Sequence, residues 1–183
     1  MSNIEHQIAR NLERQFSNKG FATQGVDALR SAADVSLRTL YKYFPSREAM
    51  VVGALMYRDA TYAKWIGNGP ENGADHVLHV FHRLSHWLHE ISNTGCLFRN
   101  ALAAYPESAP IRQAAEDHKA NVRRMFRTRL LNVAPDCNAD ALVEALFVLH
   151  EGLTESARLI GAPAATKATM LCVRALLASE NIH

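Results

Sequence analysis

Ile4, Ile8, Leu12 and Phe16 recur every four residues, the apolar stripe of an amphipathic first helix. Lys19-Gly20 gives that helix a basic last turn and a glycine stop. Phe21 turns back toward the core. Thr23 is placed to cap a second helix with Val26, Leu29 and Ala33 facing inward. Val35-Ser36 forms a tight turn, Ser36 caps a third helix, and Pro45 stops it. Ser46 caps a long fourth helix reaching about Ile66, and Gly67–Gly73 is the clearest loop in the chain. Helical periodicity then predicts five more helices: Ala74–Ser92, Leu97–Ala104 closed by Tyr105-Pro106, Ala109–Val133 ended by Pro135-Asp136, Asn138–Ile160 and Ala164–Ser179. Alternating strand-like segments, internal repeats and low-complexity tracts are not seen, so the expected fold is all-α with about nine helices.

The third helix has two unlike sides. With Leu40 at zero and about 100° per residue, Leu37 and Phe44 fall within about 60° of it, while Arg38 and Lys42 lie roughly opposite. A helix of about two turns is unstable alone, so the Leu37/Leu40/Phe44 side must dock on its neighbours. The rigid cationic face left outside suits the major groove of DNA, and two short helices joined in this way fit a helix-turn-helix. Arg38 and Lys42 have the reach for guanine edges, and Leu37 can touch a thymine methyl. Thr23, Ser36, Thr39, Tyr41, Tyr43 and Arg47 suit phosphate oxygens.

Composition changes this picture little. Apolar content is 48% and charged content 21%, ordinary for a globular chain of 183 residues. The net charge of +2 is placed at one end: residues 1–50 hold 7 Lys/Arg against 5 Asp/Glu, leaving 13 of each in residues 51–183. Cys96, Cys137 and Cys172 are scattered and odd in number, which speaks against a disulfide framework and for a cytoplasmic protein. No signal peptide or membrane span is indicated.

The combination Gly20-Phe21-x-Thr23, then Ala32-Ala33-x-Val35-Ser36-x-x-Thr39-Leu40-Tyr41-x-Tyr43-Phe44-x-Ser46-Arg47-Glu48-Ala49-Met50, resembles the DNA-binding domain of the TetR/AcrR family of bacterial transcriptional regulators. Gly95-Cys96-Leu97-Phe98-x-Asn100-Ala101 is similar to a segment opening the sixth helix in many members. Two positions depart from the pattern. Asp34 stands where the family usually has Gly, and Arg47 where it usually has Lys. The resemblance implies a non-enzymatic regulator without a cofactor. It also implies a helix-turn-helix domain over residues 1–46 and a helical ligand-binding and dimerisation domain over 47–183. The expected partners are a palindromic double-stranded DNA operator, a small-molecule effector that releases it, and a second copy of the chain.

The eighth helix carries Leu142, Leu146, Leu149 and Leu153 on one face, with the small Ala141, Ala145, Gly152 and Ser156 beside it. Apolar over more than half its girth, it must be buried on two sides, by the core and by a twin copy. With Met170, Val173, Leu176 and Leu177 of the ninth helix, this predicts a four-helix dimer bundle. Phe81, Trp87, Phe98, Met125, Phe126, Phe147 and His150 are the candidate effector walls, or plain core.

Two features pull toward other functions. His76, His79, His82, His86 and His89 form a stripe on the fifth helix, and His82 with His86 at i, i+4 can share a metal, so a helical metal-dependent protein is the alternative. An ordinary hydrophilic face is the simpler reading, and no metal site is expected. Arg123, Arg124, Arg127 and Arg129 form a basic cluster, read as a solvated face, or else as a site for an anionic effector or a partner's carboxylates.

Overall fold

The computed structural model describes residues 2–22 and 24–183. Among these there are nine helices and no strand: α1 (Asn3–Lys19), α2 (Val26–Ala33), α3 (Leu37–Tyr43), α4 (Arg47–Ile66), α5 (Gly73–Glu90), α6 (Leu97–Ala104), α7 (Ala109–Val133), α8 (Ala139–Ile160) and α9 (Ala162–Ser179). Among the described residues, no helix is long and apolar enough to cross a membrane.

The ends follow local chemistry. Ser2 and Glu5 close a capping box at the start of α1, and Gly20 ends it at φ 71°, a backbone conformation that costs glycine nothing. Ser36 caps α3 with its side chain, as expected, and Asn138 caps α8 in the same way. The cap of α2 is different. Its N-cap is Gly25, without a side-chain bond, and the proposed cap Thr23 lies outside the described residues.

The chain forms two compact units, Met1–Lys64 with Leu97–His118, and Trp65–Cys96 with Lys119–His183. The helices α4 and α7 each run from one into the other, so the compact units do not follow the 46/47 division expected from function.

In the first unit Ile8, Ala9, Leu12, Phe16, Phe21, Leu29, Ala33, Leu40 and Phe44 are buried together. Ile4 opens the apolar stripe in sequence but is about half exposed. The Asn11 side-chain amide donates to the Ala33 carbonyl at 3.3 Å, a buried tie between α1 and α2. His118 lies flat on Phe98, centroids 3.9 Å apart, with its Nδ1 2.7 Å from Asp59 Oδ1.

In the second unit α5, α8 and α9 share a core of Val77, Phe81, Leu84, Leu146, Leu153, Val173 and Leu177. Arg129 corrects one expectation. Rather than sitting on a solvated face it is buried, and its guanidinium donates to the carbonyls of Ile66 and Asn68 (3.0 Å each) and His76 (2.7 Å). It thereby satisfies the last turn of α4 and the loop that follows. Burial lowers its pKa from the ordinary arginine value. Arg123 and Arg127 pair with Glu144 and Asp140, and Arg124 with Asn121.

Candidate nucleic-acid interface

The recognition candidate is α3, held from one side. Leu40 is fully buried and Phe44, just past the helix end, nearly so. Phe44 lies so close to Gly53 of α4 that a Cβ on that glycine would meet its ring at 2.2 Å. Leu37 does not join the docked side as its spacing suggested: it is 42% exposed, because the first turn of so short a helix projects past the elements that cover Leu40. Arg38 and Lys42 are exposed as well, and Tyr41 is 40% exposed. The Lys42 ammonium stands over the Tyr43 ring, 5.3 Å from its centroid. Ser36 Oγ accepts the Thr39 N–H at 3.1 Å, and the two hydroxyls lie 2.9 Å apart. The outer surface of α3 is therefore one leucine, one arginine, one lysine and a set of hydroxyls.

Arg47 is placed differently from the other phosphate candidates. Its Nε donates to the Tyr105 hydroxyl at 2.6 Å, and its terminal nitrogens donate to the Gln24 and Phe21 carbonyls. The charge-based expectation of a phosphate contact took no account of these acceptors, which lie 23 to 58 residues away in sequence. Tyr105, Gln24 and Gly53 are contributors that sequence reasoning missed. Only the Tyr105-Pro106 helix stop hinted that one of them was special.

The effector candidates are dispersed. Phe98 sits in the first unit against His118. Phe81 and Phe126 are fully buried and pack on each other, centroids 5.5 Å apart, and His150 meets the edge of Phe126 at 6.0 Å. Trp87 packs on Trp65, and Phe147 is covered by the Arg123 guanidinium 3.5 Å from its centroid. Met125 is half-buried. A cavity of about 450 Å³ lies elsewhere in the second unit, bounded by Asp75 and Leu78 of α5, Arg174 and Leu177 of α9, and Ile182 and His183.

The histidine stripe divides by burial. His82, His86 and His89 are exposed, whereas His76 and His79 are half-buried with ring nitrogens at the carbonyls of Pro70 and Gly67. Burial lowers the His79 pKa from 6.5. The described residues hold no group of three or more His, Cys, Asp or Glu able to share a metal ion. A separate polar cluster joins Lys119 to Glu151 at 2.5 Å and to Cys96 Sγ at 3.3 Å. Although burial raises the pKa of Glu151, the bonds and charges of His150 and Lys119 outweigh it and bring the carboxyl down to about 2.

Dimer candidates fall into two groups. Ala141, Gly152 and Ser156 of α8 are exposed, and Ala145 and Leu149 are half-buried, beside a Val148 that is 64% exposed. On α9 the expectation fails. Met170, Val173 and Leu177 are buried in the core of their own unit. The outward stripe is instead Ala164, Ala168, Leu171, Ala175 and Ala178.

A docked short helix with an outward basic and hydroxyl surface, following a second helix across a tight turn, forms a helix-turn-helix, the arrangement with which DNA-binding proteins enter the major groove. Residues 10–54 match the model of the bacterial regulatory proteins, tetR family. The fold is shared along the whole length with a TetR-family transcriptional regulator from Streptomyces coelicolor (TM-score 0.85, 22% identity, covering 98% of this chain and 97% of that one). It is also shared with a TetR-type regulator from Streptomyces avermitilis (0.82, 22%, 100% of both chains) and with the reduced form of NemR from Escherichia coli (0.74, 19%, 93% and 95%). No curated protein matches the sequence. The matched segment is thus similar to the helix-turn-helix portion of the tetR family, and the whole chain shares the fold of these regulators.

Proposed function

We propose that the protein is a ligand-responsive repressor that binds a palindromic operator in the cytoplasm as a homodimer. The observation that carries this reading is the outward surface of α3, with Leu37, Arg38, Tyr41 and Lys42 exposed over a buried Leu40. Each protomer sets this helix in the major groove of one half-site, about 34–36 Å from its twin. Arg38 and Lys42 read guanine edges, and Leu37 meets a thymine methyl. The hydroxyls of Thr23, Ser36, Thr39, Tyr41 and Tyr43 fix the register on phosphates.

Dimerisation uses the outward apolar stripes of α8 and α9, where small side chains permit close approach of helices. The effector binds in the second unit among Phe81, Trp87, Met125, Phe126, Phe147 and His150, and it favours a form with weak operator affinity. The coupling is reciprocal, so the operator weakens effector binding by the same factor.

Selecting duplexes from a random pool with the purified protein tests the reading. A palindromic consensus is expected. Arg38→Ala and Lys42→Ala should each bind it roughly tenfold more weakly and relax preference at one position per half-site, as loss of a contact of about 1–3 kcal/mol requires. Binding indifferent to both substitutions overturns the assignment of α3.

A further inference from the structure

Arg47 and Glu48, the first two residues of α4, grip two distant parts of the first unit at once. Two nitrogens of the Arg47 guanidinium donate to carbonyls of the segment joining α1 to α2, at Phe21 and Gln24. The third donates to the hydroxyl of Tyr105, the residue that closes α6 with its N–H on the Ala101 carbonyl (2.9 Å). Glu48 accepts from the Ser108 hydroxyl, and Ser108 Oγ in turn accepts the Ile111 N–H at 3.3 Å in the first turn of α7. A second bond steadies the same α1–α2 segment, from the Gln15 amide to Gln24 Oε1 at 2.6 Å. Bonding in three directions within one plane is a property of guanidinium, and an ammonium at the same place cannot reproduce it.

We propose that Arg47 is a positioning residue for DNA recognition: it clamps the α1–α2 segment and the α6–α7 connection to the start of α4, and so fixes the attitude of the reading helix. This inference rests on the DNA-binding reading above. It separates Arg47 from the hydroxyl side chains assigned to phosphate, since each of its three nitrogens already donates within the fold. It also gives the α6–α7 connection a route to operator affinity, because Tyr105 and Ser108 hold the same two residues that orient the helix-turn-helix.

The two roles differ in salt dependence. A cation that neutralises a phosphate contributes about 0.9 to the slope of log affinity against log salt, whereas a cation that only orients the fold contributes none. The test measures binding of the full chain to the duplex that the wild type selects, across a range of salt, for Arg47→Gln, Arg47→Lys, Tyr105→Phe and the Arg47→Gln/Tyr105→Phe pair. Arg47→Gln is expected to bind roughly tenfold more weakly with an unchanged slope, and Arg47→Lys to restore little of the loss. Tyr105→Phe, which removes one oxygen and keeps the ring, should weaken binding about threefold alone and add nothing to Arg47→Gln. A slope reduced by about one unit per protomer on Arg47→Gln, with affinity and slope restored by lysine, would make Arg47 a phosphate contact and overturn the proposal. A Tyr105→Phe protein that binds like wild type, or whose loss adds fully to that of Arg47→Gln, would overturn it too. If Arg47→Gln does not stay folded, Tyr105→Phe and Arg47→Lys decide the matter. A wild type that selects no duplex refutes the DNA-reading surface itself, before any variant is compared.

Discussion

Asp34 ends α2 in the left-handed conformation, at φ 57° and ψ 48°, with its N–H on the Ser31 carbonyl at 3.2 Å. Glycine enters that region freely. Aspartate is one of the few other residues that visit it routinely, so the substitution that looked anomalous in the motif keeps the turn. Asp34→Gly should therefore leave stability within about 0.5 kcal/mol and strengthen operator binding several-fold at low salt by removing a carboxylate near the phosphates. Asp34→Val should lose about 1–2 kcal/mol, because a β-branched residue resists a positive φ. Urea unfolding and a titration with the selected duplex check both. A stable Asp34→Val protein would mean the turn relaxes to another conformation. The sequence identified this residue as unusual but not the left-handed turn it makes, since backbone angles are not written in residue type. Arg47 illustrates the same limit: its charge was legible, but not its three acceptors.

At the scale of elements, helix boundaries were the most legible feature. The stop signals at Gly20, Pro45, Tyr105-Pro106 and Pro135 lie within a few residues of the observed ends of α1, α3, α6 and α7. These signals act through local backbone chemistry and need no tertiary partner. Which face turns inward was less legible. Leu37 faces outward, and α9 buries Met170, Val173 and Leu177 while exposing an alanine-rich stripe that includes Leu171. Gly53 shows how closely the elements fit. An alanine there gains about 1 kcal/mol of helix propensity but must displace the Phe44 ring, an overpacking cost of about 1–3 kcal/mol. The clash should win. Gly53→Ala is expected to unfold at lower urea and to bind the selected duplex more weakly, because Phe44 seats the end of α3. Unchanged affinity would show that α3 does not depend on this contact.

For the whole molecule, the proposal of a dimer turns on the outward surface of α8 and α9. Val148 and Leu159 of α8 are 64% and 88% exposed, and Leu171 of α9 is 73% exposed. If two copies meet there, Val148→Glu with Leu171→Glu places like charges across a desolvated contact. The double variant should elute as a monomer in light-scattering chromatography, stay folded by circular dichroism, and bind the palindrome at least tenfold more weakly. A dimer that survives both changes would move the interface elsewhere.

The sequence by itself determined the all-helical class, nearly every helix boundary and the location of the helix-turn-helix. Each of these follows from periodicity, capping chemistry or a motif of closely spaced residues, all properties of neighbours along the chain. Only the tertiary structure decided that Arg47 bonds to Tyr105 and Phe21, that Arg129 is buried against the end of α4, and which face of α9 is left exposed. Those outcomes depend on what lies opposite a side chain after distant segments meet. An amphipathic pattern shows that a face is apolar, but not which neighbour covers it.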